Sequence, residues 1–369
     1  MNPDNDNKTV LVFPAGTEAA YEIHDALKYA PGIELIGASS GHCHADFVFA
    51  KTEYCLPSLD DPGFLDSLNR IIENDNADFV FPADRSALRF LCDRRSDLKC
   101  TLIAPDSATV TACEEYIRSG VSGPEISVDC FTDSEGKLKY ICPRTRERIR
   151  ADMSVRSENI DADDALVSLA EELNSRMSFD GAWFFHAFTG SGGYVVSDIC
   201  PGISGSMGFS RALGINFPLL TLGNYCGLDI DTVENRFDVL LDRAFLSRYD
   251  NGIEYENVYV DFDDTLVLNG KVNPVLMQFL YQCRNRGKKI YLLTRHSTDI
   301  YDDLRKYCIS ESLFDDIVHL TDSSDNKTDY IKPDSVFIDD SFAERKRVRE
   351  LCNIPVFDLD MIESLLDWR

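Results

Sequence analysis

The sequence has no apolar run near the roughly 18–20 residues that a bilayer-spanning helix needs. It has no excess of positive charge either: 37 Lys and Arg stand against 63 Asp and Glu, a net charge of −26. Such a surface repels polyanions, which argues against broad electrostatic binding to nucleic acid or to an anionic membrane. A local basic pocket for one phosphate remains compatible. Twelve cysteines contain no C-x-x-C pair. A scattered, reduced set is expected, as in a cytoplasmic protein. The opening MNPDNDNKTVLVF shows no basic stretch followed by an apolar one, so no secretory leader is expected. The turn Pro14-Ala15-Gly16-Thr17 is too poor in glycine for a dinucleotide-binding G-x-G-x-x-G. His42-Cys43-His44 is the one metal-like cluster, and no further ligand stands at a useful spacing from it.

What is present is a two- or three-domain chain of 369 residues, 44% hydrophobic, with ample material for cores. Apolar runs at 9–13, from Leu35, at 77–83 and at 100–106 alternate with helical patterns such as GFLDSLNRIIEN at 63–74. That alternation predicts a parallel sheet with helical crossovers. Residues 125–150 change character: two β-rich runs flank Ser134-Glu135-Gly136, a hairpin signal. A helix over about 162–176 and a second hairpin around Gly-Ser-Gly-Gly at 190–193 follow. From 256 the strand–helix alternation returns, with short strands NVYV, KKIYLLT, DIVHL and SVFI. The expected domains are 1–113, 114–250 and 251–369. The expected class is α/β: a Rossmann-like domain, an α+β layer and a second Rossmann-like domain.

Asp261-Phe-Asp263-Asp264-Thr265 crowds carboxylates at the end of an apolar strand. Thr294 closes the next strand, Lys327 precedes another, and Asp339-Asp340 closes that one. Strand ends of a parallel sheet converge, so these groups are expected in one pocket. Carboxylates coexist there if a hard divalent cation neutralises them, which suits Mg²⁺. As a set and in this order, they resemble the four motifs of the haloacid dehalogenase superfamily of phosphohydrolases. The resemblance covers about 256–369. It implies a HAD-like domain in which Asp261 is the nucleophile, forming an aspartyl-phosphate, and a metal ligand. It makes Asp263 the general acid/base, also reaching the metal. Thr294, Lys327 and Arg295 would bind phosphate, with Asp339 and Asp340 completing the metal shell. Lys332 competes for the lysine role, but it precedes Pro333 and sits close to the strand. Asp261 and Thr294 are 33 residues apart, as are Thr294 and Lys327. That leaves no room for a cap insertion.

The first 250 residues resemble an ATP-grasp ligase of the carbamoyl-phosphate-synthase-like type. The α/β start is similar to the domain preceding the ATP-binding lobes. EEYIRSGVSGPEISVDCFTD, PRTRERIRADMSVRS and PGISGSMGFSRALGINFPLL are similar to parts of the second lobe. The small lobe, whose lysines hold ATP phosphates in that family, has no counterpart between SATVTAC and EEYI. Where the family has Glu-Ile-Asn-Pro-Arg, this chain has Asp198-Ile199-Cys200-Pro201-Gly202. Cys200 offers soft sulfur in place of a hard oxygen, and Gly202 removes an arginine. This predicts a truncated, degenerate module without ligase activity. Arg144, Arg146 and Arg148 alternate along an expected strand, giving either an anion-binding stripe or a surface ladder of ion pairs.

The resulting expectation is a Mg²⁺-dependent phosphatase acting on a phosphorylated metabolite. A sugar or nucleotide-sugar intermediate of bacterial surface-polysaccharide synthesis is the class implied, with the ATP-grasp remnant as recognition element or lid. A partner enzyme of the same pathway is expected, and neither nucleic acid nor membrane. The alternative makes the ATP-grasp part the main functional module, in an ATP-dependent ligase-type or a non-catalytic partner-binding protein.

Overall fold

Apolar stretches ending in a capping residue dictate the first layer. In the computed structural model, which describes residues 7–116, 123–150, 153–190, 193–228, 231–322 and 324–369, that layer consists of β1 (Lys8–Phe13), β2 (Ile33–Ala38), the polar edge strand β3 (Lys51–Glu53), β4 (Phe79–Pro82) and β5 (Thr101–Leu102). They are parallel, in the order β3-β2-β1-β4-β5. Helices α1 (Glu18–Leu27), α2 (Phe64–Asn74), α3 (Arg85–Cys92) and α4 (Ser107–Tyr116) link or follow them. The chain builds outward from β1 in one direction and then returns to its other side at β4. The switch point therefore lies between the carboxyl ends of β1 and β4, where open α/β sheets carry their clefts. Both ends are fixed there. Thr17 accepts the Ala20 N–H to cap α1 and donates to the Ala83 carbonyl. Asp84 accepts the Ala87 N–H at 2.6 Å to cap α3.

The next elements are β6 (Glu125–Thr132), β7 (Leu138–Thr145), β8 (Arg148–Arg150), β9 (Met153–Glu158), α5 (Asp164–Arg176), β10 (Gly181–Gly190), β11 (Gly193–Cys200), α6 (Gly208–Ala212), α7 (Phe217–Tyr225) and β12 (Leu240–Asp242). Strands β11-β10-β6-β7 form an antiparallel sheet, and β12-β9-β8 a smaller one. Alternation along β10 sends Ala182 and Phe184 into the core shared with the parallel layer. Trp183 and Phe185 go into a second core under α5. The Trp183 indole N–H donates to Thr132, which satisfies a polar atom in that dry core. The hairpin at 134–136 forms as expected, with Gly136 at φ 78°. The tip of the second hairpin, at 191–192, lies outside the described residues.

A second compact unit, Leu246–Trp368, is separate from the first, Met1–Phe245. It contains β13 (Asn257–Val260), β14 (Val267–Leu268), β15 (Lys271–Val272), α8 (Pro274–Asn285), β16 (Lys289–Thr294), α9 (Ile300–Lys306), β17 (Asp316–His319), β18 (Ser335–Ile338), α10 (Phe342–Cys352) and β19 (Val356–Phe357). Its parallel sheet has the order β17-β16-β13-β18-β19. Strand β13 is central and buried, so its carboxyl end is flanked by those of β16 and β18. The β14–β15 hairpin turns through Asn269 and Gly270, both at positive φ. The overall class is mixed α/β, with parallel and antiparallel sheets. No helix among the described residues is long and apolar enough to cross a membrane.

Candidate functional site

In the second unit the strand ends bring three carboxylates together. Oxygens of Asp261, Asp339 and Asp340 lie within 4.8 Å of one another. Lys327, on a 3-10 turn, is buried between them, with Nζ 2.6 Å from both Asp261 Oδ1 and Asp339 Oδ2. Lys332 points elsewhere and donates to the Tyr291 hydroxyl at 2.8 Å. The geometry thus selects Lys327 over Lys332 as the lysine of this pocket. Burial raises the pKa of Asp261, against the pull of Lys327. Burial likewise pushes Asp339 up to about 6. The Thr294 hydroxyl is fully buried beside Asp261, whose pKa it lowers, yet it makes no hydrogen bond of normal geometry.

Asp263 and Arg295 are placed differently. The Asp263 carboxylate is not in the trio and meets His296 Nδ1 at 2.8 Å. His296 also meets Asp303 at 2.8 Å. Burial alone would lower its pKa; the two carboxylates outweigh this and raise it. Arg295 donates to the carbonyls of Asp322 and Asp325, so it braces a loop. Sequence reasoning missed Arg345, which donates to the carbonyls of both Asp339 and Asp340 at 2.6 Å. The trio offers oxygens alone, as a hard divalent cation prefers, and Lys327 already supplies a counter-charge to its two buried members, Asp261 and Asp339.

The first unit holds a larger cleft, of about 900 Å³, at the switch point of the parallel sheet. Thr17, Glu18 and Ala19 line it from the start of α1, and Asp84 and Arg85 from the start of α3. The antiparallel sheet contributes Glu125, Ser127, Phe184, His186, Ser197 and Asp198. Arg85 donates to the carboxylate of Asp198 and to the Ile199 carbonyl at 3.1 Å. Arg146 pairs with Glu125 at 3.3 Å and bonds His186 Nδ1. Register sets His186 directly opposite Asp198 across β10 and β11. Burial, then the surrounding arginines, hold the His186 pKa well below its ordinary value, so it is neutral. The Ser127 hydroxyl is 1% exposed, lines the cleft and has no hydrogen-bond partner.

The three alternating arginines do not form one stripe. Arg144 is fully buried, paired with Asp129 and donating to Ser206 at 2.7 Å. Arg146 faces the cleft, and Arg148 pairs with Asp242 at 2.6 Å. Strand β7 stops at Thr145 and the chain enters another sheet at Arg148, so the period-two alternation is interrupted.

The residues of this cleft do not fit the magnesium site that an ATP-grasp fold implies. Asp198 already carries a guanidinium partner, and His186 has its Nδ1 engaged by Arg146. The Cys200 thiol is pushed up to about 11 by burial and is neutral. It offers a hard cation nothing. The sequence did not reveal Arg85 or His186 as cleft residues. The signal lay in strand register and in a helix start 113 positions away from Asp198, neither legible without the fold.

Residues 117–242 match the model of a family described as "ATP-grasp in the biosynthetic pathway with Ter operon". No curated protein matches the chain. Among solved structures, urea carboxylase of Kluyveromyces lactis is similar at 14% identity and TM-score 0.51, over 63% of this chain and 23% of that one. Biotin carboxylase of Campylobacter jejuni, as a β,γ-ATP complex, is similar at 10% identity and TM-score 0.50, over 63% of this chain and 74% of that one. Pyruvate carboxylase of Rhizobium etli shows 13% identity and TM-score 0.48, over 61% of this chain; the match spans only 26% of the carboxylase chain. At these identities the likeness is one of fold.

These findings correct the functional expectation. A phosphohydrolase of the haloacid dehalogenase type, with Asp261 as nucleophile and Asp263 as acid/base, does not stand as the activity of the chain. The family match is to an ATP-grasp model, over 117–242. The motifs that suggested a hydrolase are oxygen-rich strand ends, which many cation-binding α/β units share. The matched segment, 117–242, lies within the first unit, whose cleft carries the arginine pairs.

Proposed function

We propose that the ATP-grasp part is the main functional module, and that it recognises a small acidic ligand in the Arg85–Arg146 cleft without itself carrying out ligation. One observation carries this reading: a fully buried, unpartnered Ser127 hydroxyl on the floor of a 900 Å³ cleft that two arginines flank. A buried hydroxyl without a partner costs about 1–3 kcal/mol, which a bound ligand's polar atom would recover. Phe184, Leu88 and Met153 supply the apolar wall that ligand pockets combine with a few placed polar groups.

A second reading, complete ATP-dependent ligation by this chain, is favoured by the family match at 117–242. Its requirement is a set of groups for the ATP phosphates, and the sequence lacks the lobe that supplies them. One assay separates the two readings. The protein is incubated with ATP, Mg²⁺ and a panel of carboxylic and phosphorylated acids, and both binding and ADP release are followed. Recognition without ligation predicts a panel member whose binding falls at least about tenfold in Arg146→Gln, with no ADP release. ADP release that depends on that panel member would install the second reading. A panel with no binder would remove both.

For the second unit we propose a divalent-cation site, Mg²⁺ by preference, at Asp261, Asp339 and Asp340. Thr294 and Lys327 stand ready to hold an anionic group beside it. The all-oxygen trio supports this reading, with the buried Thr294 hydroxyl beside Asp261.

A further inference from the structure

Against the motif of the resembling family, the cleft has Cys200 in place of an oxygen ligand and Gly202 in place of an arginine, and the structure shows what surrounds them. We infer that Arg85 and Arg146 replace divalent cations in this cleft, so that it holds the anionic group of its ligand, a carboxylate or a phosphate, through fixed guanidinium charge and without metal. The inference rests on the ligand-binding reading of the cleft and specifies its electrostatics.

Three observations carry it. First, the acids that line the sheet side are already neutralised by this chain's own cations. Asp198 bonds Arg85, and Glu125 lies 3.3 Å from Arg146. A metal ion would have to break charge-assisted pairs to reach them. Asp84 is turned to its own helix start, where it accepts the Ala87 N–H, and Glu18 lies in the first turn of α1, whose positive end it complements.

Second, the cleft that lacks an arginine at 202 is lined by two others, Arg85 and Arg146. Gly202 lines the cleft, and a Cβ built there would meet nothing within 4 Å. The space of the family's arginine is therefore open. Arg85 reaches this region from the start of α3, with its guanidinium 5.8 Å from the Phe184 ring centroid. Its side chain keeps 45% exposure and lines the cleft, so a ligand there can reach it. Arg146 supplies a second guanidinium from the β7–β8 connection, close to His186. Two guanidiniums present several N–H donors in fixed directions, which suits carboxylate and phosphate oxygens.

Third, the floor retains a polar atom in need of a partner. Ser127 Oγ is buried, lines the cleft and makes no hydrogen bond. Cys200 in the ligand position of the family motif gives sulfur to a site that would need oxygen. Anion recognition by guanidinium and hydroxyl uses what is present; metal recognition needs what is not.

The test is calorimetry on the full chain with two probes, pyrophosphate and succinate, each titrated in Mg²⁺ and in EDTA. Wild type, Arg85→Gln, Arg146→Gln and Asp198→Asn are compared. Arg85 is half exposed, so its variant should fold, and circular dichroism confirms it. The expected result is binding of at least one probe with an affinity equal within about twofold in Mg²⁺ and EDTA. That affinity falls at least about tenfold in Arg85→Gln or Arg146→Gln. Pyrophosphate alone identifies a phosphate ligand, and succinate alone a carboxylate. Tightening of about tenfold or more in Mg²⁺, lost in Asp198→Asn, would overturn the inference while leaving the cleft a ligand site. Binding indifferent to both arginine variants would also overturn it. No binding of either probe in any condition would overturn the inference together with the reading of the cleft.

Discussion

Arg85, at the first position of α3, donates to the carboxylate of Asp198 near the end of β11, joining the parallel layer to the antiparallel sheet across 113 positions of sequence. Both side chains are partly exposed, at 45% and 27%. Exposed pairs contribute little to stability, about 0–1 kcal/mol. A double-mutant cycle with Arg85→Ala and Asp198→Ala is predicted to give a coupling below about 1 kcal/mol in urea unfolding. A larger value would assign the pair to architecture instead of to the cleft.

Arg144 and Asp129 are the opposite case. Both side chains are fully buried; Ser210 donates to Asp129 and Arg144 donates to Ser206, while Asp129 Oδ1 and Arg144 Nε keep no partner. Removing one partner strands a charge in the core, at a cost of about 3–5 kcal/mol. Arg144→Met should destabilise the first unit by that amount. Arg144→Met with Asp129→Leu should recover much of it. Unfolding followed by Trp183 fluorescence in a Trp368→Phe background reports on the first unit alone, because the chain has only these two tryptophans.

His186 makes the first unit acid-sensitive. Burial and then the nearby arginines hold its folded pKa far below the ordinary value near 6.5. Below pH ~6.5 the unfolded chain takes up a proton that the folded chain refuses, so stability falls as pH falls. Between pH ~7.5 and ~5.5 this group should remove at most about 1.4 kcal/mol, the limit set by its ordinary unfolded value. His186→Gln should flatten that part of the profile, measured by urea unfolding at both pH values. An unchanged profile would mean that His186 gains its proton in the folded state.

The carboxylate trio of the second unit predicts metal linkage. Mg²⁺ that binds only the folded state raises the stability of that unit by about 1.4 kcal/mol for each tenfold excess over its dissociation constant. Unfolding followed by Trp368 should therefore shift upward with Mg²⁺ and return on chelation. Asp340→Asn should weaken the shift, while Asp263→Asn should leave it in place, because the Asp263 carboxylate is outside the trio and meets His296. Equal loss in both variants would place Asp263 at the cation.

Much of the fold was legible because its signals are local. Runs such as TVLVF and NVYV ending in turn residues marked the parallel strands, and Ser134-Glu135-Gly136 marked a hairpin. Convergence of Asp261, Asp339 and Lys327 was legible as well, since parallel strand ends meet by topology. The first-unit cleft was not. Arg85 sits in an ordinary capped helix start, and its partner Asp198 belongs to another sheet. Ser127 reads as one small residue in a strand, and only packing shows that its hydroxyl is orphaned. The arginine alternation at 144–148 misled because it crosses from one sheet to another. Function followed the same division: compact acidic motifs were conspicuous, whereas the cleft that the ATP-grasp match favours is assembled from distant segments.

The most direct test of the central claim is hydrogen–deuterium exchange on the full chain, with and without the panel acid that gives the largest thermal shift. The account predicts slowed exchange in β6, β10 and the start of α3, which bear Ser127, His186 and Arg85, with the second unit unchanged. Protection confined to β13, β16 and the turn at Lys327 would contradict it and move the ligand to the carboxylate trio.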